Sequence, residues 1–186
     1  VSYTRGLKSR TEDRGLLRYL LRHDHTSPFE KPRVELHIKA PLFVIAEWRT
    51  HRTATFSSWN QESLRYSEPS GDYYVPSQDA IGIQDPKNKQ GRVKENMPEY
   101  IKSFTQEEII RASENTKQAY QNLREKGIAK EIARNILPVN FYTEFYWTMD
   151  LHNMFHFLKL RMNDKALEEF RAYANILGDI TKRIFP

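Results

Sequence analysis

The feature that most constrains this chain is a basic and polar stretch from Glu47 to Ser67, EWRTHRTATFSSWNQESLRYS. Its cationic, hydroxyl and amide side chains alternate with the aromatic residues Trp48, Trp59 and Tyr66. Guanidinium forks bind phosphate and carboxylate oxygens, and aromatic rings offer flat faces for stacking. The stretch therefore predicts a site for an anionic, partly aromatic ligand. A solvated basic loop or an RNA-binding patch is the alternative interpretation.

Composition narrows the classes of protein to which the chain can belong. Its 186 residues are enough for one domain with a sizeable core. The 29 Lys and Arg against 24 Asp and Glu give a charge of +5, which suits anionic ligands but is small for a dedicated nucleic-acid arm. The absence of cysteine excludes disulfides, thiolate catalysis and Cys-based metal sites.

The ends and the apolar content of the chain give two further expectations. No apolar run approaches the roughly 20 residues of a membrane helix, and no signal peptide opens the sequence, so we expect a soluble, cytoplasmic protein. The sequence begins at Val1 without an initiator methionine and ends at Pro186 directly after a helical pattern. We therefore expect one domain over 1–186 that lacks an N-terminal segment.

The first half of the chain shows clear helix and strand signals. Ser9 to Glu12 has the pattern of a capping box, for a helix that ends near His23. Arg33 to Lys39 alternates between apolar and polar residues, which predicts a half-buried strand. Pro41 to about Arg52 is predicted as a helix, with a buried strand as the alternative. Residues 67–98 are predicted to be mostly loop, anchored to the core by Tyr73 to Pro76.

The second half is predicted to be helical. Thr105 to Glu108 resembles a second capping box, opening a helix that Gly127 ends. A short helix is expected from Ile128 to Leu137. Its side chains expected to point toward the core are Ile132, Ala133, Ile136 and Leu137. A last helix, about Lys165 to Ile184, is expected to bury Leu167, Phe170, Ala174, Leu177 and Ile180.

Between these helices, residues 141–161 combine many aromatic residues with polar ones. On a presumed helix, Asp150 and Arg161 share one face, whereas His152 and Arg161 point in opposite directions. Such a helix is predicted to lie between two polar environments, such as a ligand and another subunit, with a solvated helix end as the alternative. His152 and His156 have a metal-ligand spacing, but the glutamate of the zinc protease motif is absent, and no metal is predicted.

Arg134 lies among apolar residues and must reach a partner, either a structural carboxylate or a ligand. The sequence contains no phosphate loop, no dinucleotide glycine fingerprint and no useful Ser/His/Asp arrangement. The residues alone therefore predict an anion-binding α+β protein with several candidate ligand arginines.

Taken together, these residues resemble the flavin-dependent thymidylate synthases, the thymidylate synthase complementing protein family. The resemblance runs from Ser2 to about Ala174. The matching segments are His25 to Glu30, Ile38 to Val44, Trp48 with His51-Arg52, Ser63 with Arg65 to Ser67, Ala133-Arg134, Leu137-Pro138, Asn140, Tyr142-Thr143, Trp147, and Asp150 to Arg161. So many matches in the same order make the resemblance specific.

The resemblance implies a fold, a reaction and an assembly. The expected fold is α+β, a curved mixed sheet flanked by helices, in a homotetramer whose active sites are shared between subunits. The expected reaction converts dUMP to dTMP, with methylenetetrahydrofolate as carbon donor and NADPH reducing a bound FAD. The family uses no cysteine nucleophile, and this chain has none.

Site residues are carried over by matched position. The resemblance implies that FAD contacts Ser2, His25, Ser27, His51, Arg52, Thr53, Asp150, His152 and His156. It implies that dUMP contacts Arg49, Gln61, Glu62, Ser63, Leu64, Arg65, Arg134 and Arg161. Arg161 is the expected catalytic residue, because its fixed positive charge can stabilise an anionic uracil. The flavin would supply the hydride, and the protein mainly orientation and electrostatics.

The chain also departs from the family signature, which is Arg-His-Arg, seven residues and then Ser. Thr50 stands in place of the first arginine, and about three residues are inserted around Ser57 to Trp59. Gln61 stands in place of a glutamate or displaces it, and Lys165 and Leu167 replace His and Gln of many relatives. Two alternatives stay open: different chemistry on a pyrimidine nucleotide, such as hydroxymethylation, and a non-catalytic nucleotide- or RNA-binding protein.

Overall fold

The computed structural model describes residues 9–52, 58–95 and 97–186. Within these ranges the helices are α1 (Arg10–Arg22), α2 (Leu42–Arg49), α3 (Glu99–Glu125), α4 (Lys130–Ala133), α5 (Leu151–Arg161) and α6 (Glu168–Ile184). The strands are β1 (Arg33–Pro41), β2 (Ser58–Gln61), β3 (Ile83–Gln84), β4 (Arg92–Val93) and β5 (Tyr142–Asp150). Short 3-10 helices occupy Gln78–Ala80 and Arg134–Ile136. No helix in the described ranges is long and apolar enough to cross a bilayer.

The main sheet has the strand order β1-β5-β2. The strand β5 pairs with β1 along its whole length, from Asp150 opposite Arg33 to Tyr142 opposite Pro41. A separate hairpin joins β3 and β4. The predicted combination of helices and a sheet is confirmed. The expected mixed sheet is wrong for the described residues, since every strand pair among them is antiparallel.

The core lies between the inner face of the main sheet and the helices α2, α5 and α6. Its centre is Trp48 of α2, which is 2% exposed. The Trp48 ring centroid lies 5.0 to 5.3 Å from the ring centroids of Phe145, Trp147, Phe157 and Phe170. Burying one such large apolar side chain contributes roughly 1.5–3 kcal/mol. This aromatic cluster therefore fixes how α2 and α5 approach each other.

The early elements follow the sequence signals closely. The Ser9 hydroxyl accepts a hydrogen bond from the Glu12 N–H at 3.3 Å, and the Glu12 carboxylate accepts from the Ser9 N–H at 2.9 Å. This confirms the capping box of α1. The predicted strand is confirmed and extends to Pro41. The predicted helix after Pro41 is also confirmed, but α2 ends at Arg49, three residues before Arg52.

The second capping box is wrong, because α3 begins at Glu99, well before Thr105. Pro98 precedes the first turn, and its fixed φ suits a helix start. The Thr105 hydroxyl donates instead to the Ile101 carbonyl at 2.8 Å, one turn back within the helix. The predicted stop at Gly127 is confirmed: its φ of 77° is a left-handed conformation that suits glycine.

The predicted helix over 128–137 is only partly right. It is one α-helical turn, α4, followed by a 3-10 turn that begins at Arg134. Ala133 is fully buried, but Ile132 and Ile136 are exposed rather than inward. The change of period at Arg134 prevents one continuous apolar face from forming.

The largest correction concerns residues 141–161, which are a strand followed by a helix. Thr143, Phe145, Trp147 and Met149 alternate inward along β5, a strand period hidden by the density of aromatic residues. Asp150 is consequently not on the helix. It is the last residue of β5 and the N-cap of α5.

The predicted core positions of the last helix are confirmed except at Leu167. Phe170, Ala174 and Leu177 are buried in α6, and Ile180 packs against the core. Leu167 is 39% exposed, contrary to the prediction, because α6 begins one residue after it.

The predicted anchoring of the long loop at 73–76 is confirmed. Tyr73 forms a β-bridge with Phe141. The Tyr74 hydroxyl donates to the Glu169 carboxylate at 3.0 Å. Arg92 of β4 bonds to Glu168 at 2.7 Å and to Glu169 at 3.0 Å, so the loop is attached to the first turn of α6.

Candidate active site

The C-terminal ends of α2 and α5 meet beside the aromatic core. Trp48 in the last turn of α2 stacks on Phe157 of α5, with ring centroids 5.3 Å apart. This packing places Thr50, just after α2, beside Arg161 at the end of α5. The Arg161 Nη2 lies 3.4 Å from the Thr50 hydroxyl oxygen. The same packing leaves the ring centroids of His51 and His156 5.7 Å apart.

The Arg161 guanidinium is only partly satisfied by protein contacts. Its Cζ lies 5.0 Å from the ring centroid of the fully buried Phe170, a cation–π arrangement. Its Nε is buried and has no hydrogen-bond acceptor among the described residues. A buried donor without an acceptor costs stability, so such an arginine is typical of a site where a ligand oxygen completes the hydrogen bonding.

The imidazole of His51 is held in its neutral form. Its ring packs edge-on against Phe157, with centroids 5.0 Å apart. Burial, followed by electrostatic interactions with Arg161 and His156, lowers the pKa of His51 to about 4. At neutral pH the ring therefore has one N–H donor and one acceptor nitrogen. It can hydrogen-bond a polar heterocycle without adding a second charge beside Arg161.

Two predicted substrate residues, Arg49 and Gln61, are bonded to each other. The Arg49 guanidinium donates to the Gln61 side-chain oxygen and lies with its Cζ 5.5 Å from the Trp59 ring centroid. Trp59 in turn stacks on Phe145, with centroids 3.9 Å apart. Trp59, the last of the positions predicted to be inserted, is part of the edge strand β2.

The other predicted substrate residues form a second group beside α4. Glu62 donates its N–H to the Glu144 carbonyl at 2.9 Å, and a turn over Ser63 and Leu64 follows, in which the Tyr66 N–H donates to the Ser63 carbonyl at 2.9 Å. The Arg65 Nε lies 3.2 Å from the Glu131 carboxylate, and both side chains are largely exposed. Lys130 donates to the Tyr66 carbonyl at 2.9 Å.

Arg134 belongs to the same region, since it follows α4 directly. It is partly buried, and its guanidinium has no hydrogen bond or ion pair among the described residues. This favours the ligand arginine over the structural pair, between which the sequence did not decide. Within the described ranges, no hydrogen bond or ion pair links Ser63, Arg65 or Arg134 to Arg161.

A third group surrounds the junction of β5 and α5. Asp150 is 3% exposed, and its two carboxylate oxygens accept from the Asn153 N–H at 2.9 Å and the Asn153 side-chain amide at 2.7 Å. The His152 N–H donates to the Phe29 carbonyl at 3.0 Å, which brings the loop of His25 and Ser27 to the start of α5. The side chains of His25 and Ser27 are exposed. Their binding roles stay predictions.

Some expected positions lie outside the described residues. These are Ser2, Thr53 and, from the inserted segment, Ser57. Arg52 is described and exposed, and its N–H donates to the Thr50 carbonyl at 2.9 Å. In the described part of the chain, no three histidine or carboxylate side chains are grouped to hold a metal.

Sequence reasoning missed two neighbours of Arg161. Phe170 was predicted only as a core residue of α6, and Thr50 only as a departure from a signature. The contact with Thr50 has no local signal, because Thr50 and Arg161 are far apart in sequence and meet only through the core. The contact with Phe170 joins consecutive helices, and it depends on how α6 packs against α5.

Comparisons with known proteins agree with the resemblance. The family model of the thymidylate synthase complementing protein matches residues 1–186. The flavin-dependent thymidylate synthase of Treponema denticola is 43% identical over 186 residues, which are 100% of this chain and 69% of that protein. That of Wolbachia pipientis wMel is 41% identical over 186 residues, which are 100% of this chain and 64% of that protein.

Among solved structures, the chain is similar to a UMP/dUMP methylase, PolB from Streptomyces cacaoi, bound with 5-Br UMP. The TM-score is 0.81 at 32% identity, covering 93% of this chain and 79% of the methylase. The chain spans 60 to 69% of the length of the first curated relatives it matches. On the match over all its residues and these identities, the chain belongs to the thymidylate synthase complementing protein family.

Proposed function

We propose that this chain carries the catalytic core of an enzyme that methylates dUMP to dTMP, with methylenetetrahydrofolate as carbon donor. The observation that carries the proposal is Arg161, whose buried Nε has no acceptor among the described residues while its guanidinium is held between Phe170 and Thr50. The relatives named flavin-dependent thymidylate synthase and the matched UMP/dUMP methylase support the same reaction.

The side chains near Arg161 suit a bound FAD. The imidazole of His51 is neutral at neutral pH, because its pKa is lowered to about 4, and the ring of His156 lies 5.7 Å from it, so the two rings suit a polar heterocycle. The exposed guanidinium of Arg52 suits a diphosphate. When bound and reduced by NADPH, FAD supplies the hydride that converts the transferred methylene group to a methyl group.

Arg161 contributes a fixed positive charge to the reaction. An arginine stays protonated under all physiological conditions, and packing on Phe170 shields this one from water on one face. Hydrogen bonds from its free N–H groups to the pyrimidine oxygens would stabilise the ring as an anion. The anionic ring is electron-rich at the carbon that takes the methylene group and later loses its proton.

The second group, beside α4, is proposed to hold the nucleotide phosphate. Arg134 has no protein partner among the described residues, and the exposed Arg65 is paired only at the surface, where an ion pair contributes little. The Ser63 hydroxyl oxygen accepts from the Arg65 N–H at 3.4 Å, and its own proton completes the donor set. Because no hydrogen bond or ion pair within the described chain joins this group to Arg161, we propose that sites are completed between subunits of a homotetramer.

The test is the mass of the nucleotide formed when the full-length protein is incubated with dUMP, FAD, NADPH and methylenetetrahydrofolate. A product heavier by one methyl group supports the proposal, and a product heavier by a hydroxymethyl group identifies the alternative chemistry. Unchanged dUMP, under conditions where the Thermus thermophilus relative turns over, overturns the proposal.

A second candidate substrate is UMP, because the matched methylase is described as acting on UMP/dUMP. Parallel reactions with dUMP and UMP at equal concentrations distinguish the two. Methylation of both at similar kcat/KM would mean that the site does not discriminate the ribose 2′-hydroxyl.

A further inference from the structure

The surroundings of Thr50 determine to which group its hydroxyl donates and from which group it accepts a hydrogen bond. The residue caps the C-terminal end of α2, and its hydroxyl lies 2.7 Å from the Glu47 carbonyl oxygen. A carbonyl only accepts, so the single hydroxyl proton points to Glu47. The lone pairs of the same oxygen are then left to accept from Arg161 Nη2, which is 3.4 Å away.

The two contacts of Arg161 restrain it in different directions. The Phe170 ring supports the guanidinium on one face, with Cζ 5.0 Å from the ring centroid. The Thr50 hydroxyl restrains one of the terminal nitrogens. With Phe170 alone the guanidinium could still rotate over the ring, whereas both contacts together define which edge carries the Nε that has no acceptor in the described part of the chain. An oriented guanidinium edge is what bidentate binding of a planar ligand requires.

We infer that Thr50 is a positioning residue for Arg161 in the proposed methylation, and this inference rests on the proposed function. The family signature has an arginine at this position, and an arginine is only a donor, so it could not accept from Arg161. The threonine supplies an acceptor and carries no charge. The departure at Thr50 therefore gives this chain its own means of orienting the reactive arginine.

Three variants of the full-length protein separate the hydroxyl from the rest of the side chain. Thr50→Val keeps the shape and removes the hydroxyl, whereas Thr50→Ser keeps the hydroxyl. Thr116→Val is the matched control, because the Thr116 hydroxyl makes the same kind of bond, to the Ala112 carbonyl at 2.7 Å, within α3. We expect kcat of Thr50→Val to fall about 5- to 10-fold, as for a modest loss of orientation of one charged group. Thr50→Ser and Thr116→Val should keep kcat within about 2-fold.

A second readout does not depend on turnover. In protein labelled with ¹⁵N-arginine, the Nε–H resonance of Arg161 is assigned by its loss in Arg161→Lys. An oriented guanidinium gives a distinct, slowly exchanging signal in the native protein and in Thr50→Ser. We expect Thr50→Val to broaden this signal or to accelerate its exchange with water.

The outcomes keep the two proposals apart. A Thr50→Val variant with native kcat and a native Arg161 signal overturns the positioning role while leaving the methylation proposal intact. A Thr50→Ser variant as impaired as Thr50→Val also overturns it, because the hydroxyl is then not the cause. A native protein that binds FAD but forms no methylated nucleotide overturns the proposed function itself, whatever the variants do.

Discussion

The guanidinium carbon of Arg161 lies 5.0 Å from the ring centroid of Phe170, so the two residues pair across the interface of α5 and α6. Phe170 is fully buried and contacts Trp48 and Phe157 in the aromatic core. Arg161 therefore rests directly on the core. The orientation of the Arg161 side chain thus depends on how the aromatic core is packed.

Replacing the guanidinium with an ammonium group should abolish most of the activity. In Arg161→Lys the charge is kept, but the planar fork and the buried Nε donor are lost. We expect dTMP formation to fall about 10²- to 10³-fold in kcat, the size of effect seen when one preorganised donor is removed. The control is Arg183→Lys, an exposed position near the end of α6, which should keep native rates. Near-native turnover of Arg161→Lys would remove the guanidinium from the mechanism.

The lowered pKa of His51 predicts a particular dependence of stability on pH. Between its ordinary value of 6.5 and about 4, the unfolded chain binds a proton at His51 that the folded chain does not. The free energy of unfolding therefore falls as the pH drops through this window, and His51→Gln should lose less of it. Allowing for solvent screening of this half-buried ring, we expect a difference of about 1 kcal/mol between pH 7.5 and pH 4.5.

Urea unfolding of both proteins across this pH range provides the measurement. Above pH 7.5 the native protein and His51→Gln should differ by a constant amount, since the imidazole is then neutral in both the folded and the unfolded chain. A difference that stays constant down to pH 4.5 would show that His51 titrates equally in the two states.

The N-cap at the junction of β5 and α5 should contribute more to the free energy of unfolding than the N-cap of α1. Asp150 is buried and accepts two hydrogen bonds from Asn153, whereas the Ser9 cap is exposed. We expect Asp150→Ala to lower the free energy of unfolding by about 2 kcal/mol and Ser9→Ala by about 0.5–1 kcal/mol. Chemical denaturation followed by circular dichroism measures both. Equal losses in the two variants would contradict a special role of the buried cap.

The ion-pair cluster that attaches the long loop to α6 should be stabilising as a unit. Glu169 is largely buried and accepts from Arg92 and from the Tyr74 hydroxyl, and burial and the Glu169 charge raise the pKa of that hydroxyl. Arg92→Met would leave the Glu169 charge with one neutral partner. We expect a loss of about 2–3 kcal/mol on unfolding in urea.

The matched control is Arg111→Met, which breaks an exposed pair with Glu108. Its cost should be within about 0.5 kcal/mol, the usual value for a surface pair. A double-mutant cycle with Arg92→Met and Glu169→Gln should give a coupling energy above about 1 kcal/mol. Additive effects of the two substitutions would mean that the loop is held by other contacts.

The sequence predicted the elements whose signals are local. The capping box at Ser9, the alternation of β1 and the glycine stop at Gly127 each act within a few residues, and all three are confirmed. The strand β5 was not predicted, because its outward positions include aromatic residues such as Tyr146. The alternation between apolar and polar residues is therefore weak in this strand. The start of α3 was not predicted correctly, because residues 105–108 have the residue types of a capping box but lie within the helix. The Thr105 hydroxyl donates to the Ile101 carbonyl instead of capping a helix end.

The candidate site likewise contains residues that could be predicted and contacts that could not. His51, His156 and Arg161 could be named from the resemblance, and the fold does bring them together. The pairing of Arg49 with Gln61 and of Arg65 with Glu131 could not be predicted. Each pair joins separate elements, and only the packing of α2, β2 and α4 against their neighbours decides which side chains meet.

The pairing of β1 with β5 also has a consequence for how the protein folds. The two strands are separated by roughly 100 residues of chain, and β5 continues without a loop into the helix that ends at Arg161. Closing so long a loop is entropically slow, and it cannot begin on the ribosome until β5 has been synthesised. During synthesis Arg161 thus emerges after Thr50 and the strands of the main sheet, but before α6, which carries Phe170. Chains interrupted before β5 would expose the apolar face of β1, and we expect them to depend on chaperones rather than persist as a partly assembled site.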